Sequence, residues 1–428
     1  MTPGVYFRSL HIDKVCCFGK NSLLNLTDSK GKWKQWTVIL GDNGTGKTTL
    51  LQLLAAFQMT DDQLNNEYGY SPAGMPQKDF SLAPGREAAT LVTARFNFTG
   101  PVGEDDAVLL MRGFVQMGMS WHSEKAYRHI QCFGYGASRM IGQSSLSENI
   151  PSNAASLFDE YIPLVNAEEW LLQLDYSANS PSAVQAFAIA QRNKVKQILI
   201  ALLPDVEDIR FIAPTHEKLV PGVEFLTHLG WVTLHQLSLG YKCMVAWLAD
   251  FAFRMFERYP DSPHPLEEPA IVLIDEIDLH LHPRWQRNIF DFLGKTFPAT
   301  QFIVTAHSPL IVQSAPQNGN LVLLRKQGSE VVIDQNTDNV RNWRIDQILS
   351  SELFELPARN QEVEEKLERR RALIGQAQLS PAEQQELDAL NAFAETLPYA
   401  ESELDIRARN IVREAAAMLQ KRQAKKDE

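Results

Sequence analysis

Gly41-Asp42-Asn43-Gly44-Thr45-Gly46-Lys47-Thr48 follows a short apolar run, Thr37-Val38-Ile39-Leu40, and leads into Thr49-Leu50-Leu51-Gln52-Leu53-Leu54. The flanks predict a strand before the loop and a helix after it. In that context a glycine-rich backbone wraps N–H groups around a polyphosphate at a helix N-terminus, where unpaired donors and the helix dipole favour an anion. Gly41, Gly44 and Gly46 permit the tight path, Lys47 reaches the β- and γ-phosphates, and the Thr48 hydroxyl is a Mg²⁺ ligand. Asn43, Thr45 and Thr49 line the same loop and helix start. The competing reading, a flexible turn before a basic helix, gives no reason for the matched flanks.

A chain of 428 residues with 44% hydrophobic content suffices for one large domain with insertions, or for two domains. There is no charged start followed by an apolar run and a small-residue cleavage site, and no apolar stretch approaches membrane-spanning length. The expectation is a soluble, cytoplasmic protein with no membrane partner. Cys16, Cys17, Cys132 and Cys243 lack paired Cys-x-x-Cys spacing, so neither a zinc site nor a disulfide framework is expected. A formal net charge of −11 argues against non-specific coating of nucleic acid. The stretch Lys30-Gly31-Lys32-Trp33-Lys34-Gln35-Trp36 has two readings, a local phosphate contact or a lysine-protected hairpin edge.

Apolar runs broken by turns over residues 1 to 40 predict a few strands feeding the loop. Thr60 to Gly85, rich in Asn, Asp, Gly and Pro, predicts a long exposed loop. From Ala88 to Phe133 three strand patterns suggest an antiparallel sheet. The last ends in Gly134-Tyr135-Gly136-Ala137-Ser138-Arg139, a turn that leaves Arg139 free to point into a cleft and sense a γ-phosphate, or simply to be solvated. Helical patterns around 155–174, 182–203 and 241–258 predict a second, helical lobe without sustained heptads.

Three further stretches carry chemistry. Leu237-Ser238-Leu239-Gly240-Tyr241-Lys242 precedes a helical run, where Ser238 and Gly240 offer a hydroxyl and bare N–H groups to an anion, or an ordinary cap. Ala270-Ile271-Val272-Leu273-Ile274 is a wholly apolar strand ending in Asp275-Glu276, as expected of a central parallel strand delivering carboxylates to a sheet edge. Asp275 is the candidate for holding Mg²⁺, and Glu276 for orienting or deprotonating the attacking water. Gln301 to Ala306 is another buried-type strand, and His307 at its tip is a candidate to hydrogen-bond the γ-phosphate or the leaving charge. His280 and His282 alternate with apolar residues but have no third ligand at useful spacing for zinc.

Five elements thus stand in the order of an ABC-type ATPase: GDNGTGKT (41–48), YGASR (135–139), LSLGYK (237–242), IVLIDE (271–276) and TAHSP (305–309). Over roughly residues 1 to 315 the chain resembles the SMC-like, RecF-like branch, because IDLHLHPRWQ follows the carboxylates in place of the loop usual in transporters. The resemblance implies an α/β fold: a P-loop ATPase head with a mixed central sheet and an antiparallel β subdomain, a helical lobe, and an α-helical C-terminal extension. It places the head at 1–340, the lobe at about 150–260, and a helical partner-binding or oligomerisation region at 341–428. ATP and Mg²⁺ are the implied cofactors. Ser238 and Gly240 would contact the γ-phosphate of nucleotide held by a second subunit, in a head-to-tail dimer or a higher oligomer, with Asp278 in the loop crossing the interface. The usual glutamine of the loop after the third strand is not evident, and no coiled-coil arm is present.

More narrowly, the short lobe and the tail look like the ATPases of Septu and retron-linked anti-phage systems, the PtuA-like group. That likeness implies a separate HNH nuclease as partner, with nucleic acid as a further one. The rivals are a RecF-like repair or replication ATPase, a transporter energy subunit, and a nuclease with an added Toprim domain, for which the tail is short and lacks an Asp-x-Asp pair. In the tail, Ser380-Pro381-Ala382-Glu383 is a capping box, Leu387, Leu390, Ala394 and Leu397 share a helix face, and Pro398 ends that helix. A final helix is expected from about Glu403.

Overall fold

The computed structural model describes residues 4–57, 91–99, 107–112, 120–121, 132–335 apart from 149, 215, 217 and 218, 343–350, and 360–397 apart from 377 and 378. The stretch Thr60 to Gly85, Pro398 and the helix expected from Glu403 lie outside the described residues. The chain divides into two compact units, Met1–Glu355 and Leu356–Glu428. The first therefore runs past the boundary read at 340, because the helix Ile345–Ser350 belongs to it and Ile348 is fully buried in its core.

In chain order its strands are β1 (Gly4–Asp13), β2 (Ser22–Asn25), β3 (Trp36–Gly41), β4 (Leu91–Thr99), β5 (Ala107–Arg112), β6 (Ser120–Trp121) and β7 (Cys132–Tyr135). They continue with β8 (Val206–Ile212), β9 (Gly222–Thr227), β10 (Gly230–Thr233), β11 (Ala270–Ile274), β12 (Thr300–Thr305), β13 (Asn320–Gln327) and β14 (Glu330–Asp334). The central sheet has six strands in the order β14-β13-β3-β12-β11-β7. All are parallel except β14, which closes one edge antiparallel to β13. Both faces are covered. Val38, Leu40, Val272, Ile274, Phe302 and Val304 join one core with the helices Gln185–Leu202, Leu239–Arg258 and Ile289–Thr296. Ile39, Ile271, Leu273 and Ile303 join a second core with the phosphate-loop helix Lys47–Ala55 and β1. This two-sided burial is why the parallel strands read as unbroken apolar runs.

The antiparallel sheet has the order β2-β1-β4-β5-β6. The last of the three strands expected there, β7, belongs instead to the central sheet, paired in parallel with β11 and buried along its whole length. The two sheets are joined at a bulge in β1 between Phe7 and Ser9. The buried Gln301 amide on β12 accepts from the Phe7 N–H (2.8 Å) and donates to its carbonyl (2.9 Å), satisfying the backbone groups the bulge leaves over. Around Lys30 to Lys34 the chain is a tight turn in which the Asp28 carboxylate accepts the N–H groups of Lys30 and Lys32. Trp33 stacks on Tyr6 at 3.9 Å, and Lys34 Nζ donates to the Gly319 carbonyl.

The lobe carries a three-stranded antiparallel sheet, β10-β9-β8, inserted between its helices, which the helical reading had not anticipated. These strands bury only a few residues, such as Val206, Ile209, Val223 and Phe225, a short signal beside the longer helical patterns. In the second unit the helices Gln361–Ile374 and Pro381–Thr396 pack on each other. The Ser380 capping box is formed with Pro381 in the first turn. Arg369 holds Glu386 through two bonds of 2.9 and 2.8 Å, and Arg370 reaches Asn391. Among the described residues, no helix is long and apolar enough to cross a membrane.

Candidate functional site

The carboxyl ends of β3, β12 and β11, neighbours in the sheet, deliver the phosphate loop, His307 and the Asp275-Glu276 pair to one edge. β12 lies between the other two, and its terminal Thr305 bonds both residues of the pair that β11 carries. Gly41, Gly44 and Gly46 all have positive φ (149°, 76° and 86°), so the loop's path favours glycine. At Gly46 a side chain would also collide with Cys17 Sγ at 2.5 Å. Asn43 and Gly44 are exposed, and the helix opens at Lys47 with no side-chain cap, leaving its first N–H groups for a ligand.

Lys47 is buried, and its Nζ donates to the loop's own carbonyls, Gly41 (2.7 Å) and Asp42 (2.9 Å). Burial lowers its pKa from the ordinary value, while Asp275, Glu276, Asp42 and Asp278 act in the opposite direction. The Thr48 hydroxyl donates to Asp275 Oδ2 at 2.6 Å, joining the loop to the carboxylate strand. The Thr305 hydroxyl donates to Asp275 Oδ1 (2.6 Å) and accepts the Glu276 N–H (2.7 Å). Glu276 itself has φ of 49°, and its carbonyl accepts from Leu279 N (3.0 Å) and from Arg139 Nη2 (2.8 Å).

Arg139 is thus drawn inside and not left in an open cleft: it is 2% exposed, and its Nε has no hydrogen-bond partner among the described residues. Burial pulls its pKa down, against the nearby Cys243, Asp275, Asp278 and Glu276. Asp278 Oδ2 accepts the His307 N–H at 3.0 Å, so the residue assigned from sequence to an interface loop also fixes the histidine's backbone. Gln286 ties the two loops together further, donating to the carbonyls of Leu281 and Asp278 and accepting from Ser308 Oγ.

Ser238 and Gly240 stand apart from this set. Ser238 is exposed and caps the helix Leu239–Arg258 by accepting from Tyr241 N. Gly240 lies so close to the His280 carbonyl that a Cβ would sit 2.4 Å from it. His280 and His282 are exposed, His282 caps the short helix Pro283–Gln286, and no cluster of three metal-ligating side chains occurs among the described residues. Sequence reasoning missed Thr305 and Gln286 as parts of the site. Thr305 stood in a quoted motif, but its two bonds join residues 29 and 30 positions away.

The donor set fits Mg·ATP. It comprises a buried cation with no carboxylate partner among the described residues, uncapped N–H groups, and a hydroxyl–carboxylate pair of the kind that holds Mg²⁺ with few protein ligands. The sheet topology and the order of these elements are those of a P-loop ATPase head, and they resemble the SMC/RecF-like, ABC type.

The sequence relatives agree with that class. Residues 149–313 match the family described as "AAA domain, putative AbiEii toxin, Type IV TA system". The chain is 27% identical over 367 residues to the Septu protein PtuA of Bacillus mycoides (strain KBAB4), covering 82% of this chain and 46% of that protein. It is 51% identical over 90 residues to the Retron Ec83 probable ATPase of Escherichia coli, 21% of this chain and 16% of that one. The chain therefore spans less than half the length of these relatives. The SMC head domain from Thermotoga maritima superposes with a TM-score of 0.39 at 16% identity, over 77% of this chain and 98% of that one.

Proposed function

We propose that this head binds and slowly hydrolyses Mg·ATP, closes head to tail on a second copy around the nucleotide, and thereby controls a partner HNH nuclease in anti-phage defence. The observation that carries the reading is the hydrogen-bonded chain Thr48–Asp275–Thr305–Glu276, which links phosphate loop, metal carboxylate and candidate base in one rigid assembly. Bound Mg·ATP supplies the electrophilic phosphorus and the charge clamp on its phosphates. Lys47 gives up its loop carbonyls for phosphate oxygens, as a cation held by neutral carbonyls readily does. Thr48 and Asp275 would hold the metal, Glu276 would take the proton of the attacking water, and His307 would donate toward the γ-phosphate.

Closure on a second copy is supported by exposure. Ser238 projects at a helix start, and the neighbouring Leu239 is 59% exposed, an apolar side chain suited to being covered. The Septu and retron relatives support the defence role, and the paired helices Gln361–Ile374 and Pro381–Thr396 of the second unit support a docking element for the nuclease.

The test pairs Lys47→Ala with Glu276→Gln. The first abolishes tight ATP binding. The second keeps binding, slows turnover strongly, and accumulates ATP-dependent dimer by light scattering, because an amide holds a water without taking its proton. Unchanged ATP affinity in Lys47→Ala refutes the phosphate-loop assignment, and parental turnover in Glu276→Gln refutes the base.

A further inference from the structure

We infer that Arg139 is a positioning residue for Glu276, holding that residue's main chain from behind, and does not contact the nucleotide. The inference rests on the reading of Glu276 as the base.

Glu276 adopts φ of 49°, a conformation that a residue with a Cβ keeps only when its surroundings over-determine it. Three hydrogen bonds do so. The N–H is held by Thr305 Oγ1 at the end of β12, and the carbonyl by Leu279 N within the same turn and by Arg139 Nη2. Arg139 is the carbonyl's one long-range partner of these, lying 137 residues away at the turn after β7. Its own φ is 40°, also left-handed, so two strained turns face each other through one 2.8 Å bond. A peptide rotation at Glu276 would redirect the carboxylate, and this bond resists it.

The burial argues against a phosphate contact. With 2% exposure the residue is enclosed, out of reach of an incoming phosphate, and its Nη2 donates to a main-chain carbonyl. Two buried atoms nearby, Arg139 Nε and Asp278 Oδ1, have no hydrogen-bond partner among the described residues. Both belong to side chains that brace the catalytic edge from below, Asp278 through the His307 N–H and Arg139 through the Glu276 carbonyl. The sheet topology produces this arrangement. β7 is the neighbour of β11, and the Tyr135 carbonyl accepts the Asp275 N–H at 2.8 Å, so the turn that follows β7 passes beside the turn that follows β11.

The experiment compares Arg139→Met, which removes the donor, with Arg139→Gln, which keeps an N–H able to reach a carbonyl. Each is made alone and combined with Glu276→Gln. Turnover and KM for ATP, affinity for fluorescent ATP and ADP analogues, and hydrogen exchange of a peptide spanning 276–281 in nucleotide-free protein are measured. Arg139→Met is expected to lower kcat by about tenfold or more while ATP and ADP affinities change by less than about threefold, with Arg139→Gln recovering part of the rate. In the Glu276→Gln background Arg139→Met adds no further loss, because both changes act through one group. Exchange at 276–281 quickens in Arg139→Met.

A loss of ATP affinity with ADP affinity intact, or additive losses with Glu276→Gln, would overturn the inference in favour of a phosphate contact. Parental kcat and exchange in Arg139→Gln and Arg139→Met overturn it outright. Where Arg139→Met fails to fold, Arg139→Gln decides: a folded protein with a reduced kcat that adds nothing to Glu276→Gln upholds the inference, and any other result overturns it. Failure of the underlying base reading shows separately, as parental turnover in Glu276→Gln alone.

Discussion

Thr305→Val removes one hydroxyl and preserves shape, so its effect can be worked from two bonds. The hydroxyl is fully buried, donates to Asp275 Oδ1 at 2.6 Å and accepts the Glu276 N–H at 2.7 Å. Valine takes a donor from a carboxylate and leaves a buried N–H unmatched. A hydrogen bond to a charged group contributes about 1.5–3 kcal/mol and an orphaned buried donor costs about 1–3 kcal/mol, so the combined loss is roughly 2.5–6 kcal/mol before relaxation. At about 2 °C per kcal/mol, the low end of the scale for domains of about 150–250 residues and the one suited to a larger unit, melting should fall by roughly 5–12 °C. Differential scanning fluorimetry without nucleotide reads this, and Thr305→Ser is the control. Serine keeps the hydroxyl and loses a buried methyl, a cost of about 1 kcal/mol. The expected order is parent, serine, valine, with turnover lowest in valine. If valine melts at or above serine, packing governs this position and the bridging role of the hydroxyl is wrong.

Gly240→Ala places a Cβ 2.4 Å from the His280 carbonyl, so that loop must shift; hydrolysis is expected to fall while ATP binding by the monomer, measured by fluorescence, persists. Ser238→Arg should likewise bind ATP as a monomer yet fail to dimerise, because a bulky cation enters the opposite phosphate site. Mixed with Lys47→Ala it should regain part of the ATPase, since one composite site carries both lesions and the other neither; full activity of Ser238→Arg by itself excludes the head-to-tail arrangement. Ending the chain after Glu355 keeps Ile348 in the first unit and should leave a soluble ATPase that no longer pulls down the nuclease; retained pull-down removes the tail as docking element.

The strands β3, β11 and β12 and the helix after the phosphate loop were legible in the sequence because each is a continuous apolar run with a polar terminus, the mark of parallel strands buried on both faces. Asp275, Glu276 and His307 were legible as candidates because they sit one residue or two past the last apolar position of their strands, and Lys47 and Thr48 because they close the glycine-rich loop after β3. The Ser380 box was legible because capping is local, decided within four residues. The sheet at 206–233 was not, since its short strands bury few residues each and leave only a weak pattern beside the helices that flank them.

What the sequence by itself determined, then, is which side chains are candidates to meet phosphate, metal and water, because those demands are met by residue type within a single strand–turn unit. What only the tertiary structure decided is how those side chains are aimed. The order β3-β12-β11-β7 sets Thr305 against the Asp275-Glu276 pair and sets the Arg139 turn behind Glu276. Hydrogen bonds of 2.6 to 2.8 Å span 29, 30, 137 and 227 residues of chain there. No local pattern encodes such pairs, because strand order is set by which apolar faces pack together across the whole sheet, and the polar tips follow the strands that carry them.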